Sequence, residues 1–271
     1  MTRTATPKKV SKEEKKPANL YDYPIYYDLV FGSDWEAEFK FLQQVFKKHV
    51  PGKTKTLFEP ACGTGRLVYR LAKVGYSVSG LDLNPRAVEF CQERLKRNSL
   101  KGDVWVGDMA DFVLKKPVDA AFNTINSFRH LLTAELAEAH LKCMAKAVRK
   151  GGIYALGLHL TPTKGEPMDT ESWAARRGNL SITTTLTTTM RDLKKRQERC
   201  KMVLDVYKPT EHLQILDELA FRTYTAKQLR DLLTCVPEFE CVETYDFRYD
   251  IKHPQEIDEE TEDVVLILQR R

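Results

Sequence analysis

The chain has 271 residues, 42% of them hydrophobic, and a formal net charge of +5. That length supports one sizeable core with room for an elaboration, and no internal apolar run reaches the length of a membrane span. Residues 1–17 carry +4 of the charge, so the rest is close to neutral and gives little support to nucleic-acid binding. Six scattered cysteines without a C-x-x-C pair fit reduced, mostly buried thiols better than a disulfide or zinc framework. No metal is expected, and with no hydrophobic leader the expected compartment is the cytoplasm.

Residues 1–19 read as a disordered basic tail. Residues 20–55 form an entry unit, in which an aromatic run from Tyr21 to Phe31 precedes an amphipathic helix over 34–48. Trp35, Phe39, Leu42, Val45 and Phe46 set its apolar stripe, and Pro51-Gly52 ends it. Four tyrosines beside two aspartates fit either a packing surface for that helix or a cover over a cationic ligand. Tyr23 and Asp28 are candidates for an acceptor wall on the second reading.

Residues 56–160 alternate strand and helix. Strands are predicted at 56–59, 76–81, 103–107, 118–122 and 153–158, with helices at 65–74, 85–97 and 133–149. Pro85 stands where helices accept proline, and Lys150-Gly151-Gly152 stops the third helix. A mostly parallel sheet with helices on both faces follows, with ligands at the carboxyl ends of its strands.

One segment organises this unit: Glu59-Pro60-Ala61-Cys62-Gly63-Thr64-Gly65 between the first strand and its helix. Gly63 and Gly65 let the backbone turn sharply and approach a ligand. Asp82, at the end of the next strand, is placed to hold ribose hydroxyls. The spacing is not the G-x-G-x-x-G of dinucleotide sites, and Glu59 would repel a phosphate but accept from an ammonium. A nucleoside with a positively charged amino-acid tail fits these residues; an ordinary βα turn is the plainer alternative.

Residues 161–224 interrupt the alternation. A polar loop containing Trp173 is predicted over 162–179, then an antiparallel meander of strands at 181–190, 198–207 and 212–224. Arg191, Lys194, Lys195, Arg196, Arg199 and Lys201 read as a solvated hairpin tip. The meander needs a partner for one face and one edge, which makes it a homodimer surface or a substrate cover. Residues 225–271 return to the core, with a helix capped by Thr225 and strands at 239–247 and 264–268.

Together these features resemble the class I, Rossmann-like S-adenosylmethionine-dependent methyltransferases, well over residues 21–160 and more loosely at the end of the chain. Residues 59–65 resemble the family's E/D-x-x-C-G-x-G signature, with Ala61 where the pattern has its first glycine. The resemblance implies an α/β fold with a seven-stranded, mostly parallel sheet of order 3-2-1-4-5-7-6, the seventh strand (264–268) antiparallel. It implies S-adenosylmethionine as cofactor and S-adenosylhomocysteine as product. Asp82 would then hold the ribose, Asp108 the adenine amino group, and Met109 and Leu83 the two sides of the ring. Asn123 would face the methionine portion, and Tyr27, in a Y-D-L segment, would close over the cofactor. The inserted meander resembles those of sugar-amine and glycine N-methyltransferases.

A sulfonium methyl is already electrophilic, so the protein must align a nucleophile, exclude water and, for most hydroxyl acceptors, provide a base. His130 and His159 fall where ligands should gather and are the catalytic candidates, against a loop-stabilising role for each. Arg129 and Trp173 join Tyr23 and Asp28 as candidate acceptor contacts. The segment Asn123-Thr124-Ile125-Asn126 lacks the N/D-P-P-aromatic sequence of adenine and glutamine amino-methylation, and no Pro-Cys pair stands there for cytosine C5 chemistry. The expected function is direct transfer to a small-molecule nitrogen or oxygen acceptor. An RNA or protein methyltransferase and a non-catalytic cofactor-binding partner are the alternatives.

Overall fold

A computed structural model describes residues 14–17, 19–165 and 167–271. Its elements in chain order are β1 (Glu14–Pro17), α1 (Pro24–Gly32), α2 (Glu36–His49), β2 (Thr56–Pro60), α3 (Arg66–Lys73), β3 (Ser77–Asp82), α4 (Pro85–Arg97) and β4 (Gly102–Val106). There follow β5 (Val118–Asn123), α5 (Ala134–Ala147), β6 (Val148–His159), β7 (Thr170–Arg177), β8 (Leu180–Asp192) and β9 (Gln197–Lys208). The chain ends with β10 (Glu211–Arg222), α6 (Ala226–Thr234), β11 (Phe239–Tyr245) and β12 (Asp263–Arg270). Short 3-10 turns cover Leu20–Asp22 and Ser127–His130.

The core sheet has the order β4-β3-β2-β5-β6-β12-β11, which is the expected 3-2-1-4-5-7-6. β12 runs antiparallel to both neighbours, with Leu266 opposite Leu156 on one side and Thr244 on the other. Both faces of the sheet are covered, so successive residues of a strand enter different cores. Leu57 joins Phe41, Leu42, Leu67 and Leu71 on the side of α2 to α4. Phe58 joins Phe128, Leu141, Tyr154 and Leu229 on the side of α5 and α6. Local chemistry sets the helix starts. The Asn84 side chain accepts from the N–H groups of Arg86 and Ala87 ahead of Pro85, and Thr225 and Gln228 form a reciprocal capping box.

The insertion differs from its expectation in two ways. Residues 170–177, placed in a polar loop, form β7, so the antiparallel meander has four strands. Its side chains (Thr-Glu-Ser-Trp-Ala-Ala-Arg-Arg) lack the apolar alternation that marks a half-buried strand, and edge pairing through the backbone suffices. Glu14–Pro17 was expected to lack structure, yet it forms β1, paired in parallel with β10 from Glu14 opposite Leu213. The disorder expected for residues 1–13 and 18 lies outside the described residues.

The apolar face of this second sheet, including Ile182, Met202, Leu204, Val206 and Ile215, packs on Leu20, Leu29 and Val30. The chain's own segment 20–32 is therefore clamped between insertion and core, and the face that invited a homodimer is already covered. Among the described residues no helix is long and apolar enough to cross a membrane.

Candidate functional site

Two recesses open at the carboxyl ends of β2 to β5 and share Tyr27, Ala61 and Ser127 in their walls. The larger, of ≈ 470 Å³, runs past Asp82, Leu83, Asp108 and Met109 to His130. The smaller is bounded by Glu59, Arg66, Asn123 and Thr124. Of the glycine turn, Ala61 lines both recesses and Cys62 and Thr64 the smaller one, while Gly63 and Gly65 shape the turn without lining either. Gly65 takes φ 69 as the residue ahead of α3, and a Cβ there would run into Cys91. Gly63 takes φ +52, and a Cβ would come within 3.1 Å of the Tyr27 ring that lies on it. Ala61 also adopts a left-handed φ of 53, which costs an L-residue on the order of 1 kcal/mol and explains the glycine in the family pattern.

In the larger recess, Asp82 is aimed by backbone donors. Gly63 N–H donates to Oδ2 at 2.7 Å and Asn84 N–H to Oδ1 at 2.9 Å. Burial lifts the Asp82 pKa above the ordinary carboxylate value, and these two N–H groups oppose the shift. Asp108 Oδ1 accepts from Ala110 N–H at 2.7 Å, which shapes the turn that presents Met109. Met109 is fixed from behind, because its carbonyl lies 2.8 Å from His140 Nδ1 while Nε2 of that ring lies 2.9 Å from the Tyr154 hydroxyl. Leu83 stands at the mouth and is 73% exposed.

The smaller recess holds buried acceptors without donors. Glu59 Oε2 and Asn123 Oδ1 have no hydrogen-bond partner, while Asn123 Nδ2 donates to the Pro60 carbonyl at 2.9 Å. Leaving such an atom unsatisfied costs about 1–3 kcal/mol, so two converging on one recess suit a ligand rich in N–H donors. Burial drives the Glu59 pKa well up, with the Arg66 charge opposing. Arg66 is itself buried and held in a two-pronged pair by Glu38 of α2, to which the Thr124 hydroxyl also donates.

The remaining candidates separate. His130 lies in the larger recess, with Nε2 3.0 Å from the Tyr21 hydroxyl. Burial and then the Arg129 charge lower its pKa to about 4, and a hydrogen bond to the Ala220 backbone opposes them. His159 lies instead in a third recess, of ≈ 110 Å³, with Nδ1 2.6 Å from Asp263 Oδ1. Arg129 lines that third recess too, with one terminal nitrogen donating to Glu198 and Nε, at 3.0 Å, to the Arg222 carbonyl. Arg191, expected at a solvated tip, pairs there with Glu198 at 2.6 Å and Asp169 at 2.9 Å.

Three expected acceptor contacts line none of these recesses. Tyr23 stacks on Tyr26, with ring centroids 5.9 Å apart, and Trp173 packs on Phe31. Asp28 is 2% exposed and accepts from Thr64, Arg94 and Arg177. Burial raises its pKa, but the hydrogen bond and charge of Arg94, then those of Arg177, outweigh it and leave the carboxyl below its ordinary value. Asp28 therefore anchors α1 rather than facing a recess at the strand ends. Asn19 and Ser127 line the larger recess and were missed, and Tyr21, which also lines it, was expected only as one of four covering tyrosines. Glu38 was missed as well, although it sits three residues from Trp35 and four from Leu42, on the apolar stripe of α2; an acid on such a stripe is the signal.

Residues 58–152 match the family described as a methyltransferase domain. Among curated proteins, the dTDP-3-amino-3,4,6-trideoxy-alpha-D-glucopyranose N,N-dimethyltransferase of Streptomyces venezuelae is 27% identical over 135 residues, 49% of this chain and 55% of that one. The matches span little more than half the length of the first such relatives. Among solved structures, an S-adenosylmethionine-dependent methyltransferase from Clostridium acetobutylicum superposes with a TM-score of 0.75 at 13% identity, over 93% of this chain and 99% of that one. The sugar N-methyltransferase KedS8 from Streptoalloteichus gives 0.71 at 16% identity over the whole of both chains.

Proposed function

We propose that this chain, by fold a class I Rossmann-like methyltransferase of the kind seen in sugar-amine N-methyltransferases, moves a methyl group from S-adenosylmethionine to a small-molecule amine. The observation that carries the cofactor assignment is the pair of unpartnered buried acceptors, Glu59 Oε2 and Asn123 Oδ1. An α-ammonium group brings three donors to that place. Asp82 would hold the ribose hydroxyls, Asp108 the adenine amino group, and Met109 and Leu83 the ring. Tyr27, Ala61, Gly63 and Gly65 would form the wall between the nucleoside and the amino-acid ends. When bound, the cofactor supplies a sulfonium methyl that a neutral nucleophile takes in one displacement, leaving S-adenosylhomocysteine.

The protein's part is positioning and proton management. His130 is neutral above about pH 4, and its contact with the Ala220 backbone leaves Nε2 free to accept from Tyr21. In our reading the Tyr21 hydroxyl takes the proton of the methylated amine and passes its own to Nε2. Both side chains line the larger recess, so a ligand seated there would shield the pair from water. The amine class is supported by relatives whose names specify amino-sugar N,N-dimethyl transfer.

Calorimetry with S-adenosylmethionine tests the cofactor site. Asp82→Ala is expected to weaken binding by about tenfold or more, the loss of a charge-assisted hydrogen bond. Equal affinity for both proteins would remove Asp82 from the site. A screen with labelled cofactor over amines, phenols, carboxylates, RNA and protein tests the acceptor. Label in RNA or protein but not in amino sugars would overturn the small-molecule reading.

A further inference from the structure

On the flank of the molecule, α1, α3, α4 and β7 border a recess of ≈ 310 Å³ that belongs to neither end of the cofactor site. Arg70 of α3, Arg94 and Arg97 of α4 and Arg177 of β7 line it, against one carboxylate, Asp28. Asp28 is already shared by Arg94 and, at 2.9 Å, by Arg177. Arg97 reaches Glu93 on its own helix, Nε donating to the carbonyl at 3.4 Å and a terminal nitrogen lying 3.8 Å from the carboxylate. Arg70 forms no ion pair among the described residues; it donates to the Arg66 carbonyl at 2.5 Å and lies 4.1 Å from the Trp35 ring. Burial and the neighbouring Arg94 charge lower its pKa to about 10.

Two of the guanidinium groups, those of Arg70 and Arg94, are held by carbonyls and aromatic faces, while the side chains of Arg97 and Arg177 stay more than half exposed at the rim. Arg94 is fixed by the Thr64 carbonyl at 3.3 Å and by the rings of Phe90 and Tyr69, 4.9 and 5.8 Å away. Four guanidinium groups share Asp28 and, through the exposed contact of Arg97, Glu93, so among the described residues positive charge stays in excess around the recess. Planar forks fixed by aromatic faces and carbonyls match the oxygens of phosphate groups, which accept parallel N–H donors. The recess is larger than a single oxyanion requires, and its charge favours a multiply charged one. We infer that it is a binding site for the diphosphate group of a phosphorylated small molecule, separate from the methyl-transfer site and independent of that assignment.

Inorganic pyrophosphate titrated into the full chain by calorimetry tests this. Saturable 1:1 binding is expected, stronger than for inorganic phosphate and weakened by salt. The double variant Arg70→Gln, Arg97→Gln should bind about tenfold or more weakly while keeping its circular dichroism. The charge-matched control Lys194→Gln, Lys195→Gln should bind like the parent. Absence of saturable heat at millimolar pyrophosphate overturns the site. So does equal weakening in both double variants, which would indicate only a diffuse field. Tight binding of a single-stranded oligonucleotide that pyrophosphate cannot displace also overturns it, in favour of a nucleic-acid surface.

Discussion

His130 shows how one side chain's surroundings decide what it can do. An imidazole with an ordinary pKa near 6.5 would be partly protonated at neutral pH. Burial and the Arg129 charge lower this one to about 4, so throughout the physiological range it is neutral, an acceptor of hydrogen bonds and a weaker base than an ordinary imidazole. The sign is fixed by the shift: base function persists down to about pH 4 and is lost as pH falls through that value. At saturating cofactor and acceptor, log kcat against pH is therefore expected to show no limb near 6.5. His130→Gln should lower kcat by about a hundredfold, the scale of one positioned base. A limb near 6.5, or an unchanged kcat in the variant, would dismiss His130 from proton transfer.

Among the elements, α2 does more than cover the sheet. Its Glu38 carboxylate reaches Arg66 at the start of α3 and Thr124 beyond β5, so one helix fixes both walls of the smaller recess. Removing one member of a buried pair leaves the other charge uncompensated. Glu38→Leu is expected to cost about 3–5 kcal/mol, read as a fall in denaturant midpoint. A cost below about 1 kcal/mol would show that Arg66 finds another partner.

The parallel strands and the glycine turn could be read because strands covered on both faces are continuously apolar, and because left-handed positions select glycine. β7 could not, since an edge strand pairs through its backbone whatever its side chains are. The direction of Asp28 was hidden for a related reason. Its partners Arg94 and Arg177 are distant in sequence and are brought to it only by folding. His130 and His159 looked equivalent in sequence, and only the turn at Ser127–His130 and the pairing of β6 with β12 send them to different recesses.

At the scale of the molecule, the five-stranded sheet and the seven-stranded one meet across the segment from Asn19 to Gly32. Asn19, Tyr21 and Tyr27 are walls of the larger recess, and their neighbours are fastened to both bodies. Leu20 N–H donates to Asp217 of β10 at 2.7 Å, and Asn84, after β3, donates to Asp22 at 3.1 Å. The fastening has a consequence in time rather than in space. On the proposed reading, a nucleoside seated beneath Tyr21 and Tyr27 leaves only as often as this segment lifts, so its residence is set in part by Asp217, a latch outside the recess walls. Asp217→Ala removes one latch and should speed dissociation of S-adenosylhomocysteine about fivefold in stopped flow, while Asp217→Asn keeps an acceptor and should change it little. An unchanged off-rate in Asp217→Ala would mean the exit lies elsewhere. If the latch does govern release, turnover at saturating substrate is limited by the lifting of residues 19–32 and not by the methyl transfer proposed beneath them.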